Sequence, residues 1–223
     1  MKRVLEIRAA EGGEDSKLFV SDLAAAYCRM FSRLGWTSRL INEYPGQIEI
    51  EVQGVDLSGL DNESGGLRLQ RCPPTERKGR IHTSTVTIAI IDPTIPQFSV
   101  RDEDLKVEWY SGTGSGGQFR NKHQNSCRIT HIPTGAIATS QTRARSNSYK
   151  LARADIEKRI IDQQTTILNK QISVDRKCQV GSGMRGDKIR TIRFQDNSAV
   201  DHITGKRTTA ERFMKGYMDL LWL

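Results

Sequence analysis

Four glycines, Gly112, Gly114, Gly116 and Gly117, fall within six positions of the segment SGTGSGGQFRNK, Ser111 to Lys122. A run so poor in side chains sustains neither helix nor strand, so it is a loop, and the elements on either side of it decide the fold. The spacing of Gly112, Gly114 and Gly117 formally matches G-x-G-x-x-G. A dinucleotide-binding fold needs that pattern to lead from a strand into a helix facing the pyrophosphate, with an acidic residue about twenty positions on. Here the glycines lead through QFRNKHQ into the strand-like SCRITHI; position 137 is Ile, and no acidic residue occurs from Phe119 to Lys150. No Gly-Lys-Ser/Thr follows, which removes the phosphate loop of NTPases as well. What remains is either a flexible connector or a loop that brings one backbone group against a large fixed partner.

The flanking segments predict two small α/β units. KRVLEIRA reads as a strand. From Asp15 to Gly35, Leu18, Phe19, Leu23, Tyr27, Met30, Phe31 and Leu34 recur at helical spacing, and Gly35 stops the helix. QIEIEVQG alternates strictly, as a half-buried strand does; ESGGLRLQRCPPTERKGRIH reads mostly as loop; STVTIAIID reads as a buried strand. After the connector DPTIPQ, Leu105 to Tyr110 is a strand, and SCRITHIPTGAIATSQT is two strands joined at Pro133-Thr134-Gly135. Asn147 to Ile172 is a long helix, VGSGMRGDKIRTIRFQDN a glycine-punctuated basic connector, and Glu211 to Leu220 a short final helix. The expected class is α+β. Residues 1–104 and 177–223 form an α/β sandwich, residues 105–176 an inserted unit of mixed β-strands packed by a long helix, and residues 180–195 the connector.

Charge points to the partner. Residues 1–110 hold 14 Lys+Arg against 17 Asp+Glu, whereas residues 111–223 hold 20 against 9. A half-chain that basic favours a polyanion, because phosphate contacts release counterions. No apolar run of eighteen residues occurs, and MKRVLEIRAAEGGED has no apolar signal core, so no membrane contact is expected and the expected location is cytoplasmic. Cys28, Cys72, Cys127 and Cys178 are scattered without a C-x-x-C pair, which argues against zinc and fits a reducing compartment.

GGQ followed by Asn121-Lys122 and RITHIPTG resembles the catalytic domain of class I peptide chain release factors. LEIRAAEGGED, ESGGLRLQRCPPTERKGRIHTST, RKCQVGSGMRGDKIRTIRF and DHITGKRT resemble the bacterial factors in the same order, over nearly the whole chain. The resemblance implies that Gly116, Gly117 and Gln118 enter the ribosomal peptidyl transferase centre. There the Gln118 backbone N–H would stabilise the transition state of peptidyl-tRNA ester hydrolysis, and its side chain would help place the water. Such a protein is not a free-standing enzyme; its hydrolytic chemistry runs only within the ribosome, without cofactor or metal. Phe119 and Arg120 stand where the family usually has a histidine or similar polar residue. Arg120, Asn121, Lys122, Arg185 and Arg190 are the expected contacts to ribosomal or transfer RNA. Gln118 is a candidate for N5-methylation by a glutamine methyltransferase.

The resemblance also implies codon reading. Factors for UAA and UAG carry a P-x-T tripeptide, here Pro73-Pro74-Thr75, where the UAA/UGA class carries S-P-F. Paired prolines stiffen a short loop, and the Thr75 hydroxyl can both donate and accept at base edges. By resemblance His82 stacks between the second and third bases, Gln70 and Thr83 contact the third, and Gly12 and Asp15 read the first uridine, Asp15 replacing the family's glutamate. VGSGMRGDKIRTIRF occupies the place of the family's switch loop. Full-length bacterial members begin with a helical domain, whereas here residue 1 already falls in the codon-reading unit. The expected partners are the ribosome, an mRNA stop codon and P-site peptidyl-tRNA, engaged by a monomer. Stop-codon-independent ribosome rescue is the alternative; retention of P-x-T and RIHTS, with an apolar end FMKGYMDLLWL, ranks termination above it.

Overall fold

The computed structural model describes residues 1–92, 100–113, 117–184 and 186–222. In chain order the elements begin with β1 (Lys2–Ala9), α1 (Glu14–Arg33), β2 (Thr37–Tyr44), β3 (Gln47–Gln53), β4 (Gly65–Arg71) and β5 (His82–Ile91). They continue with β6 (Leu105–Tyr110), α2 (Gln118–Lys122), β7 (Ser126–His131), β8 (Ile137–Gln141) and α3 (Arg145–Val180). Last come β9 (Arg190–Arg193), β10 (Ser198–Asp201), β11 (Arg207–Thr208) and α4 (Ala210–Met214), with 3-10 turns at Ser58–Glu63, Asp102–Asp104 and Met218–Leu221. The chain divides into two compact units, residues 1–94 with 172–223, and residues 95–171. Both expected limits, 104/105 and 176/177, lie later in the chain than these.

The first unit is a sheet in the order β11-β10-β9-β4-β5-β1-β3-β2. Its neighbours pair antiparallel except β4 and β9, which are parallel. Alternation decides which residues are buried: Leu5 and Ile7, Ile48, Ile50 and Val52, and Leu67 and Leu69 all turn one way. Against that face packs the apolar stripe of α1, with Phe19, Leu23, Tyr27, Met30 and Phe31 fully buried. Each such apolar side chain contributes roughly 1.5–3 kcal/mol relative to exposure, as do the strand residues it packs against. A polar network closes the far side of the core. Tyr27 and the Trp222 indole donate to Glu63, which also pairs with Arg190, and Trp222 stacks on Trp36 at 6.3 Å.

The second unit is a three-stranded antiparallel sheet, β6-β7-β8; among the described residues the parallel pairing lies in the first unit. Ala152, Ile156 and Ile160 of α3 bury against Cys127, Ile129 and Ala138. That helix starts before Asn147 and runs beyond Ile172 to Val180. Its last turns belong to the first unit, where the Gln179 amide bonds both N–H and C=O of Ile90 at 2.7 and 2.8 Å.

Several segments differ from the sequence reading or had none, among them α2, which stands where the glycines were read as leading directly to a strand. Residues 65–71 are strand β4, because the short alternation of Leu67 and Leu69 with Arg68 and Gln70 outweighs the two glycines. A Cβ at Gly66 would lie 2.3 Å from the Asp187 carbonyl, so the glycine is there to admit a neighbouring segment. Strand β2 pairs at the sheet edge despite a mostly polar sequence. Residues 190–193 of the supposed connector form β9, in parallel register with Leu67 to Gln70. The final helix is two pieces, α4 and a 3-10 turn, separated by Lys215 to Tyr217. No helix among the described residues is long and apolar enough to cross a membrane.

Candidate functional site

Strand directions bring the codon-reading candidates of the first unit together. The ends of β1, β4 and β9 and the starts of β5 and α1 all lie at one end of the sheet. Gln70 and Thr83 are direct cross-strand partners, with the Gln70 amide donating to Thr83 Oγ1 at 3.4 Å. Arg193 Nε donates to Gln70 Oε1 at 3.0 Å, which fixes the amide's orientation. Between β4 and β5, Pro73 is buried and its carbonyl accepts from the Glu76 N–H at 3.0 Å, leaving Pro74 and Thr75 exposed at the tip of a turn. His82 is exposed, and its Nε2 lies 2.9 Å from Glu76 Oε2. The Lys78 N–H and then the His82 ring hold the Glu76 carboxyl below its ordinary range. The turn and the two strands it joins thus present the hydroxyls of Thr75 and Thr83, the Gln70 amide and the oriented His82 imidazole.

The glycine turn before α1 is built into the same end. Gly12 has φ +126°, and a Cβ there would sit 2.5–2.7 Å from Ser84, including its Cα. The Ala10 N–H and Glu11 carbonyl pair with Thr85 at 2.9 and 2.6 Å. Asp15 is 3% exposed; one carboxylate oxygen accepts from Arg71 Nε at 2.9 Å and the other from Ser84 Oγ at 2.8 Å. The expected contact of Asp15 with a base is therefore revised: its carboxylate is committed within the chain, where it staples α1 to β4 and β5. Arg71 also pairs with Asp22 at 2.9 Å and lies over the Phe19 ring at 5.2 Å.

Arg190 is a clear correction. Expected at an RNA surface, it is 1% exposed, in β9, bonded to Asp201 at 2.8 Å, to the Asn62 carbonyl at 2.9 Å and to Glu63. Burial alone would lower its ionisation, but Glu63 leads the partners that hold the guanidinium above its ordinary value. Arg185 lies outside the described residues.

In the second unit, Gly116 and the Arg120 side chain lie outside what is described. Gly117 is exposed, and a Cβ built on it meets nothing within 4 Å. Gln118 is exposed at the first position of α2, where an N–H has no acceptor within its own helix. Asn121 and Lys122 are exposed as well. The near limb of the loop is anchored: the Gln141 amide accepts from the Thr113 N–H at 3.2 Å and donates to Thr113 Oγ1 at 3.1 Å and to Tyr110 at 3.3 Å. Beneath it Arg145 lies 4.0 Å over Trp109. Sequence reasoning missed Glu76, Arg71, Ser84 and Gln141. Only Glu76 had a signal, a carboxylate six residues before His82 within the same turn.

Residues 1–88 match the family profile described as the PCRF domain, and residues 93–203 that of the RF-1 domain. Peptide chain release factor 1 of a Nitratiruptor species is 40% identical over 232 residues, covering 96% of this chain and 64% of the relative. Peptide chain release factor 1 of Thermotoga maritima is 38% identical over 211 residues, covering 90% and 61%. Among solved structures, RF2 of Thermus thermophilus aligns over 99% of this chain and 66% of its own, at 26% identity and a TM-score of 0.57. The chain spans less than two thirds of the length of these curated relatives.

Proposed function

The chain belongs to the class I peptide chain release factors, and on that premise we propose that it terminates translation, reading UAA and UAG in the ribosomal A site and triggering hydrolysis of peptidyl-tRNA. The observation that carries the reading is the convergence of Gln70, Thr83, Thr75 and His82 at one end of a single sheet. Bases of single-stranded RNA can be separated, stacked and hydrogen-bonded along their edges, and this set supplies a ring, an amide and hydroxyls for that purpose. Gly12 allows close backbone approach at the first base, with Asp15 acting through the turn it holds in place.

Chemistry falls to the segment Gly116-Gly117-Gln118. Water attacks the ester carbonyl, the bond from carbonyl carbon to the ribose oxygen breaks, and that oxygen leaves with a proton as the tRNA hydroxyl. The Gln118 N–H donates to the oxygen on which negative charge develops, and its side-chain amide orients the water. A donor of this kind is worth roughly a hundred- to a thousand-fold in rate. The bare backbone at Gly117 supports the reading, since a side chain there would stand between the turn and a ribosomal surface. Asn121 and Lys122 follow on the exposed side and suit contact with RNA. Gln118 is exposed, as a side chain open to N5-methylation has to be.

Release of a labelled peptide from ribosomes programmed with UAA, UAG, UGA, a sense codon or an empty A site tests this. Activity confined to UAA and UAG is expected. Equal activity on an empty A site would replace termination with rescue, and UGA activity would overturn the assignment of Pro73-Pro74-Thr75.

A further inference from the structure

The face of the first unit's sheet turned away from α1 carries a cationic patch that its own fold does not neutralise. Arg68 of β4 is paired with Thr85 of β5 on one side and Thr191 of β9 on the other, and Arg193 pairs with Gln70 one step along. Cross-strand partners point to the same face, so Arg68 and Arg193 are diagonal neighbours within reach of each other's guanidinium groups. His202 joins them through Thr191 Oγ1 at 2.8 Å. Lys188 adds a third fixed charge, and with Arg68 and Arg193 it reinforces burial in lowering the His202 imidazole, against Asp201 alone.

Counter-ions are missing where they would be expected. Among the described residues no carboxylate pairs with Arg68, Arg193 or Lys188. Asp201 is taken by Arg190 and by the N–H groups of Ile203 and Thr204. Asp187 is taken by the Ser182 N–H at 2.6 Å. Two polar atoms on this face, Arg68 Nε and Thr85 Oγ1, are buried without any hydrogen-bond partner, and Thr85 is fully buried. Crowding like charges costs stability, and such a cost persists where an external group relieves it. The missing group has to be anionic, rich in acceptors and small enough to reach both arginines, which describes a phosphodiester.

We propose that Arg68, Arg193 and Lys188 form a binding site for consecutive phosphates of a single RNA strand, on the sheet face continuous with Gln70. A strand entering there passes directly to the end of the sheet that carries Gln70 and Thr83. This deepens the reading of the chain as a codon-reading factor and rests on it. Because the test reads binding by the isolated chain, its failure is separable from a failure of peptide release.

The experiment titrates the full chain with an eight-nucleotide oligouridylate, which holds no stop codon, and in parallel with inorganic phosphate. Fluorescence anisotropy over a range of KCl gives affinity and salt slope, and Arg Nε–H NMR signals locate the contact. The Arg68 and Arg193 signals should move with the oligonucleotide. R68Q/R193Q should weaken binding at least tenfold and reduce the salt slope by about 1.4, two contacts at roughly 0.7 each. R212Q, an exposed arginine on α4, should change affinity less than twofold. Relief of crowding should leave the melting temperature of R68Q/R193Q at or above that of the parent; if it falls, the parent's NMR signals still decide. Unchanged affinity and slope in R68Q/R193Q, or Arg68 and Arg193 signals that stay still, would overturn the proposal. So would shifts with inorganic phosphate that the oligonucleotide does not exceed, which would mean a simple ion site.

Discussion

Two glycine pairs precede two helices in this chain, and their surroundings differ. Gly12-Gly13 leads into α1, and Gly116-Gly117 leads into α2. The first turn is stapled from within: Gly12 lies where any Cβ would collide with the Ser84 backbone, and Asp15 bonds Arg71 and Ser84 two residues into the helix. At the second, Gly117 touches nothing that a methyl group would disturb, and the helix after it is only five residues long. A glycine demanded by its own fold reports on stability. Gly117 is not demanded by its own fold, which fits the proposal that it serves a surface outside the chain.

That contrast can be broken or sharpened by substitution. The largest effect belongs to the buried polar network of the first unit: Arg190→Ala leaves Glu63 and Asp201 buried without their cation and should cost about 3–5 kcal/mol in urea unfolding. If Arg190 instead served an RNA surface, stability would hold and binding would fall. Next comes Asp15→Ala, at about 3 kcal/mol, because Arg71 keeps Asp22 as a partner. Gly12→Ala should cost about 2–3 kcal/mol from positive φ and overpacking, while Gly117→Ala should stay within about 0.5 kcal/mol. Equal costs at the two positions would erase the distinction.

The smallest effect is a slope with pH. Burial would raise the Asp201 carboxyl, but the Thr204 N–H and Arg190 together outweigh it and hold the group below its ordinary range. A depressed carboxyl contributes stability that is full above its unfolded pKa of about 3.9 and is lost as pH falls below that. Thermal melts should therefore decline below about pH 4 in the parent, and decline less steeply in Asp201→Asn.

Much of this was legible in the sequence. The helical spacing of Phe19 to Leu34 and the alternation of QIEIEVQG define the core of the first unit, and both elements are present. The strands before and after the glycine loop were readable from residue order alone, but the five-residue α2 between the glycines and β7 was not. Strands β4 and β9 were not, because each is short and basic with glycines in or near it, and their parallel pairing with each other spans more than a hundred residues. Arg190 was misread for the same reason: a basic residue in an apparent connector looks solvated until β9 carries it inward to Glu63. Asp15 looked like a reader of RNA because its partners, Arg71 and Ser84, stand 56 and 69 positions away.

The most direct test is peptide release at a UAA codon by the Gly117→Ala variant, with its unfolding midpoint measured on the same preparation. The account predicts release slowed by roughly a hundredfold at an unchanged midpoint, since the added methyl group would displace the Gln118 N–H against the ribosome without disturbing the chain. Release at the parent rate, with the fold intact, would contradict it.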